Sequence, residues 1–365
     1  MKITIDRDQF HKYLSHAAKF TSSRIGSGGG LQGIYCLVKE GFLHMYATNL
    51  NTSYHAQIAI QGEGEERFLI ESNKIIEFLT YLENKPVDIL IEKERAVFIQ
   101  GKTKGSFSFI KNEDFPLPPQ APTSGTLVDV KMFEKIISHV LFAASRDLSR
   151  PVLSGINFVD KDGEMDIVAT DGFRLSLFHF ANKDKIRPML VPAEFLLELA
   201  RIAKDKKELR MSYLDKEKMV YFQAGDEGFY TRLIEGDFPP YERVIPTEKK
   251  TTVVVEREEL IKKVKLISIF AREHSSIVIC TFKKGEVVLA PKIESSTDNS
   301  STQEIALEGD EMKVAFNFKF LLEFLNVMDK EEIIIELLRP DAPVVLKQKG
   351  DAHFLHIIMP IRIQE

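Results

Sequence analysis

Two blocks of this sequence recur three times, and a chain built that way folds as tandem copies of one supersecondary unit. The first block is ITIDRDQFHKYLSHAAKF (3–20), LVDVKMFEKIISHVLFAA (127–144) and VVVEREELIKKVKLISIFA (253–271). Each copy reads as a short β-branched strand, a polar turn and then apolar residues at helical spacing, as with Phe10, Leu14, Ala17 and Ala18 or Phe133, Ile136, Ile137 and Val140. The second block is FLIESNKIIEFLTYL (68–82), MLVPAEFLLELARIA (189–203) and VAFNFKFLLEFLNVM (314–328), with Glu77, Glu198 and Glu323 at equivalent places. Again a strand runs into a helix, with Ser72 and Asn317 as expected caps and Pro192 at the second junction. Stretches such as FLHMYAT, MDIVAT, VDILIEKERAVFIQ and EIIIELL alternate with period two, the pattern of half-buried antiparallel strands. Each unit therefore holds two helices and about eight strands.

Unit ends are marked too. SFSFIKNEDFP (106–116) and YTRLIEGDFP (230–239) close the first two units, and HIIMPIRI closes the third. The Pro- and Gly-rich PLPPQAPTSG (116–125) and the polar PTEKK (246–250) read as linkers, which divides the chain into 1–120, 126–246 and 250–365. The fold class is α+β, with helices over antiparallel sheets.

A sheet unit of this kind leaves two edges unpaired, and exposed edges find partners. Three in tandem can pair edge to edge, and two such chains joined head to tail close into a ring of six units. Twelve helices spaced ~9–10 Å apart around the inside give a centre line near ~35 Å across. Less one helix diameter, an opening of about 25 Å remains, enough for a DNA duplex with a solvent layer.

The net charge of −5 argues against nucleic acid until its distribution is considered. The six helical segments with their flanks (8–24, 72–84, 131–150, 193–207, 256–272, 317–330) hold 19 basic and 13 acidic residues, a net +6, which leaves −11 for the rest of the chain. A basic lining within an acidic shell attracts phosphates to the hole and repels them elsewhere.

Other classes find less support. No run of 18 apolar residues exists to span a bilayer, and MKITIDRDQF alternates where a secretory leader is unbroken, which points to a cytoplasmic protein with no membrane partner. Cys36 and Cys280 each sit in an apolar alternating stretch and read as buried thiols. An enzyme would need a nucleophile with its base, a metal cluster or a phosphate loop. GSGGG (26–30) lacks the GxxxxGK[ST] spacing, the nine histidines form no metal-spaced pair, and Asp171 has no companion ligands. We therefore expect no catalysis, no cofactor and no metal. A peptide-binding scaffold built from the same repeat is the other alternative; it would lack the basic inner face.

Three further strings carry a family resemblance. GINFVDKDGEMDIVATDGFRLSLFHF (155–180), with its ATDGFRL core, resembles the central segment of bacterial DNA polymerase III β clamps. LIEGDFPPYERVIP (233–246) and IIMPIRI (357–363) resemble the (L/I)xGxFPxYxxVxP segment and the (V/I)MPxR(L/I) ending of the same family. The resemblance covers the whole chain in the expected order.

It implies three domains of one fold, a head-to-tail homodimer, and a non-catalytic processivity factor that encircles double-stranded DNA without reading its sequence. It also implies a groove between the second and third domains for short linear motifs of the replicative polymerase, clamp loader and repair proteins. Carried over residue by residue, the groove takes Arg150 and Leu153 from the start of the second sheet and Thr170, Gly172, Phe173, Arg174 and Leu175 from the ATDGFRL turn. Pro239, Arg243 and Val244 come from the linker, Pro343 from the third unit, and Met359, Pro360, Ile361 and Arg362 from the chain end. Leu, Val, Pro and Met suit an adaptable apolar slot, and the arginines suit peptide carbonyls or acidic flanks. The Asp-Gly step is also an ordinary turn signal, and the turn is what presents Phe173 and Arg174. Residues implied to face DNA are Arg24, Lys74, Arg146 and Arg150, with Lys12, Lys135, Arg201 and Lys263 on helices. The chain departs from the family in its Gly-rich stretch after Arg24, in the bulk of Phe173, and in the extra Gln364 and Glu365. IESSTDNSSTQ (293–303) reads as a polar loop.

Overall fold

The structure is a computed structural model that describes residues 1–22, 29–111, 114–147, 149–272, 275–292 and 299–362. Arg24, residues 25–28 of the Gly-rich stretch, residues 293–298 of the 293–303 loop, Ile363, Gln364 and Glu365 lie outside the described residues.

The first repeat comprises β1 (Lys2–Ile5), α1 (Arg7–Ala17), β2 (Ile34–Lys39), β3 (Phe42–Thr48), β4 (Thr52–Ala59), β5 (Glu66–Ile70), α2 (Ser72–Thr80), β6 (Val87–Ile91), β7 (Arg95–Gln100) and β8 (Thr103–Ser108). The second comprises β9 (Thr126–Val128), α3 (Val130–Leu141), β10 (Gly155–Lys161), β11 (Glu164–Thr170), β12 (Arg174–Ala181), β13 (Met189–Pro192), α4 (Ala193–Ala203), β14 (Leu209–Leu214), β15 (Met219–Ala224) and β16 (Glu227–Arg232). The third comprises β17 (Thr251–Glu256), α5 (Arg257–Ala271), β18 (Ile277–Lys283), β19 (Glu286–Pro291), β20 (Ser301–Gly309), β21 (Met312–Asn317), α6 (Phe318–Val327), β22 (Glu332–Leu337), β23 (Val344–Gln348) and β24 (Phe354–Ile358). Among the described residues each repeat thus has two helices and eight strands, as the sequence periodicities require.

The first block works alike in all three copies. A carboxylate ends the strand and accepts from helix N–H groups that have no intrahelical partner. Asp6 accepts from Gln9 at 2.8 Å, Asp129 from Met132 at 2.7 Å, and Glu256 from Glu258 and Glu259 at 2.7 and 2.5 Å. Each such cap is worth about 1 kcal/mol. In the second block Asn317 caps α6 as expected, through Lys319 N at 3.0 Å. Ser72 does not cap α2. It is the first helical residue and is buried, and Glu71 holds the cap position without a side-chain bond. Pro192 ends β13, and α4 starts at the next residue.

Each repeat supplies two four-stranded antiparallel sheets, in the first β1-β6-β7-β8 and β5-β2-β3-β4. The repeats are then sewn together edge to edge. β4 pairs with β16, running from Glu227↔Ala56 to Thr231↔Thr52, and β12 pairs with β24, from Arg174↔Ile358 to Phe178↔Phe354. The residues accordingly group into two compact units, 1–133 with 194–233 and 134–193 with 234–365. The division passes through the middle repeat because one of its sheets continues a sheet of the first repeat and the other continues a sheet of the third.

The two junctions share a plan and differ in chemistry. His16 of α1 and His139 of α3 occupy the same place in the repeat. His16 meets Glu227 at 2.5 Å, a carboxylate with no exposed surface that also takes Tyr54 Oη at 2.8 Å and Lys206 Nζ at 2.5 Å. His139 instead lies edge-on to Phe178 and Phe354, with ring centroids 5.9 and 5.0 Å away. Phe354 stands in β24 where Glu227 stands in β16. One junction is therefore closed by buried charge and the other by aromatic packing. Cys36 and Cys280 are buried thiols, and burial pushes the pKa of both up, that of Cys280 to about 12.

Candidate functional site

The turn between β11 and β12 is built by its own side chains. Thr170 Oγ1 donates to Arg174 O at 2.6 Å and accepts from Gly172 N at 3.0 Å, while Asp171 Oδ1 accepts from Phe173 N and Arg174 N at 2.9 and 3.0 Å. Gly172 has φ +92°, a conformation that favours glycine. The same frame recurs at the β3–β4 turn, where Thr48 and Asn49 make the corresponding four bonds at 2.8–3.1 Å. What the second copy adds is the side chain it displays: Phe173 is 65% exposed. Chain and turn then lock together, with Met359 N donating to Phe173 O at 2.8 Å and Ile361 N to Ala315 O at 2.9 Å.

The strands that carry this turn contribute to an apolar cluster. Val168, Leu175, Leu177, Tyr241, Val345 and Ile357 form one buried cluster, with Phe238 and Ile245 packed against it. Exposed on the surface of the same unit are Phe173, Val244 and Met359, three of its large hydrophobics that burial has not claimed. Leu153 is buried and anchors a short 3-10 turn, accepting from Ser145 N at 2.8 Å. Pro239, Arg243, Arg150 and Arg362 are exposed, and Pro360 and Ile361 are half-buried. Pro343 belongs with Pro246, Lys249, Val345 and Lys347 to a cleft of about 280 Å³. Beneath the linker, Tyr241 donates to Asp166 at 2.5 Å, and Asp166 also meets His179 at 2.5 Å. Burial, helped by that carboxylate, pushes the Tyr241 phenol well up, so it stays a donor. Val168, Leu177, Val345 and Ile357 of this cluster were not singled out in the sequence, where only their place within alternating strands hinted at them, whereas Tyr241 stands in the LIEGDFPPYERVIP string.

Arg174 has a different place from the one its type suggested. It is 8% exposed, bonds Asp171 at 3.1 Å and Glu323, and lies 4.4 Å from the Phe320 ring and 5.7 Å from that of Phe142. Its Nε and Nη1 are bonded inside the protein, so it braces the turn. Nearby His356 is wholly buried, with Nδ1 2.8 Å from Ser176 Oγ and Nε2 without a partner among the described residues. Burial first and the Arg174 charge second hold its pKa far below the usual range, which keeps a second cation out of the pocket. Glu323 carried a signal in the sequence, its repetition at Glu77 and Glu198, but not this role.

The basic residues fall on both units: Lys12, Lys74 and Arg201 on the first, Lys135, Arg146, Arg150 and Lys263 on the second. Lys12, Lys74 and Arg146 are exposed with no carboxylate partner among the described residues. Arg201 pairs with Glu198 at 2.7 Å, Lys263 with Glu259 at 3.6 Å and Lys135 with Asp351 at 3.5 Å, so their charge is partly answered within the chain. No group of three or more metal-ligating side chains and no helix long and apolar enough to cross a membrane occurs among the described residues.

Comparison with known proteins agrees with this frame. Family models for the DNA polymerase III beta subunit match end to end: the N-terminal domain over residues 1–119, the central domain over 127–240 and the C-terminal domain over 242–362. The beta sliding clamp of Streptomyces coelicolor is 26% identical over an alignment of 378 residues that covers all of both chains, and that of Staphylococcus aureus is 25% identical with 99% of each covered. Among solved structures, the DNA polymerase III beta subunit of Thermotoga maritima superposes with a TM-score of 0.92 at 25% identity over all of both chains. A Pseudomonas aeruginosa sliding clamp bound to griselimycin gives 0.91 at 21% identity, again over both full lengths, a likeness of fold. The three models together span nearly the whole sequence in order, and the chain belongs to the DNA polymerase III β subunit family, the β sliding clamps.

Proposed function

We propose that two copies of this chain close head to tail around duplex DNA, and that the surface around Phe173, Val244 and Met359 is the groove through which polymerase, clamp loader and repair proteins are tethered to the ring. As a sliding clamp the chain is a processivity factor and performs no catalysis. Its domains would run 1–120, 126–246 and 250–365, and its compartment would be the cytoplasm, where the DNA it encircles resides.

One observation carries the closure. Within the chain β4 takes β16 and β12 takes β24, so the fourth strand of one repeat pairs with the eighth strand of the next. The same rule leaves β20 of the third repeat and β8 of the first in need of each other on different chains. β8 is bonded on one side, by β7, and Ser301–Glu304 of β20 on one side, by β19, among the described residues. Exposed Lys102 and Lys104 flank the first edge and exposed Glu304 the second, an opposite-charge match. Leu266 of α5 occupies the repeat position of His16 and His139, the helix residues that meet the next repeat, and is 47% exposed beside Ile269 at 56% and Phe270 at 38%. An exposed apolar patch of this kind marks an interface.

Light scattering should therefore give twice 41.6 kDa at micromolar concentration. Ile269→Asp with Phe270→Asp should shift the mass to that of a monomer, since each apolar side chain withdrawn from an interface forfeits about 1.5–3 kcal/mol before the cost of burying a carboxylate. A dimer that persists in the double variant would move the interface elsewhere.

Sliding needs many weak phosphate contacts and no base readout. Replacing Arg24, Lys74 and Arg146 together by Glu should shorten retention on circular DNA and reduce the slope of log K against log salt by ~0.9 for each phosphate no longer neutralised. Unchanged retention at low salt would show that these side chains face away from the duplex.

A further inference from the structure

The frame that presents Phe173 is built a second time, where the first repeat joins the second. Thr48 and Asn49 fold the β3–β4 turn with the same four bonds that Thr170 and Asp171 make. Arg232 N donates to Asn51 O at 2.9 Å, as Met359 N donates to Phe173 O at 2.8 Å. Phe115 at the start of the linker stacks on Tyr35 at 5.2 Å, and its counterpart Phe238 packs on the buried cluster of the second junction. Between this turn, the linker and the β14–β15 turn lies a cleft of about 400 Å³, all of it within the first compact unit.

The frame is copied, but the side chains it shows are not. Leu50 stands where Gly172 stands, with φ +75° against +92°. A left-handed backbone favours glycine over leucine, and burial does not reward the leucine either, since it is 55% exposed. Leu117 of the linker lines the same cleft and is 53% exposed. Arg232 takes the place of Met359. Its Nε and Nη1 bond the carbonyls of Leu50 and Glu217 at 3.3 and 3.5 Å, its Nη2 bonds nothing and its charge meets no carboxylate partner among the described residues.

We propose that this cleft is a second docking site, which takes a short extended segment of a partner protein carrying an acidic side chain beside an apolar one. The acid meets Arg232, at the place where the Phe173 surface offers Met359 to an apolar anchor, and the apolar side chain enters between Leu50 and Leu117. Charge complementarity sets the choice, because a guanidinium with a free donor and no counter-charge favours a carboxylate. Pro116, Pro118 and Pro119 stiffen the linker wall, so little order remains to be imposed on it when a segment binds.

Fluorescence anisotropy on the full-length protein tests this, with labelled short peptides that set Asp or Glu one or two residues from Leu or Phe, each run beside its Asn or Gln counterpart. At least one acidic peptide should bind about tenfold or more tighter than its amide, the order set by one charge-assisted contact, and should weaken as salt is raised. Arg232→Gln and Leu117→Ser should each lower that affinity by about tenfold, and Arg232→Lys should restore part of the loss. Leu117→Ser leaves the bonds of the turn alone, and unfolding midpoints confirm that each variant stays folded. The parallel rests on the proposed groove, so the Gln-x-x-Leu-Phe peptide and Met359→Ala are run alongside. Met359→Ala should leave the acidic peptide bound, and Arg232→Gln should leave the Gln-x-x-Leu-Phe peptide bound, so a failure of the groove shows only with the latter peptide. The proposal is overturned if no acidic peptide binds more tightly than its amide up to millimolar concentration, or if binding survives both Arg232→Gln and Leu117→Ser. Loss of the acidic peptide in Met359→Ala overturns it too, since that places the acid at the other junction.

Discussion

A chain ending at Ile358 loses binding of a fluorescent Gln-x-x-Leu-Phe peptide by more than about 100-fold and remains a dimer. The truncation removes, among others, exposed Met359 and half-buried Ile361, with two backbone bonds, Met359 N to Phe173 O and Ile361 N to Ala315 O. Interfaces concentrate their energy in a few buried apolar anchors, and two of them at about 1.5–3 kcal/mol each exceed the 2.7 kcal/mol or so that a hundredfold represents. The single change Met359→Ala should cost about tenfold, since Phe173, Val244 and the buried cluster stay in place. Dimerisation survives because neither β8 nor β20 is touched. Anisotropy and light scattering on the same samples read both outcomes. Retained peptide binding would relocate the groove, and dissociation to monomers would make the C-terminal segment structural.

The second large effect is on stability. Glu227→Gln should cost about 3 kcal/mol at pH 7, because it preserves shape but leaves the Lys206 ammonium, 15% exposed, without its buried counter-charge. Burial pushes the Glu227 carboxyl up, but His16 and Lys206 together outweigh it and hold the group below the usual carboxylate range. The sign follows from that direction. A carboxyl whose pKa is lower folded than unfolded contributes stability above its unfolded value, about 4.3, and loses it as pH falls through the folded one. The gap between wild type and variant in urea midpoint should be full at pH 7 and close only in more acid solution. Equal midpoints at pH 7 would mean the cluster is no more than a solvated ion pair.

Much of this was legible because the determinants are local or periodic. The strand–turn–helix copies carry their own caps at Asp6, Asp129 and Glu256, and period-two alternation marked the strands. The ATDGFRL turn was legible for the same reason: Thr170 and Asp171 build it from bonds no more than four residues apart. Ser72 misled because a helix-start serine serves as a cap only when it stands outside the first turn with its hydroxyl free, and here it is inside and buried.

The sequence by itself determined the number of repeats and the helices and alternating strands of each, since these follow from patterns within a few tens of residues. Only the tertiary structure decided what each side chain meets. Arg174 is a groove arginine by type and a buried strut by position, because Glu323 and Phe320, some 150 residues away, close on it. His16 and His139 are the same residue in the repeat, yet one holds a carboxylate and the other rests on phenylalanines, because β16 brings Glu227 and β24 brings Phe354. His44 and His55 share a hydrogen bond only through the register of β3 against β4. A periodic pattern fixes which face of an element is buried; the partner on that face comes from another part of the chain, and no local pattern encodes it.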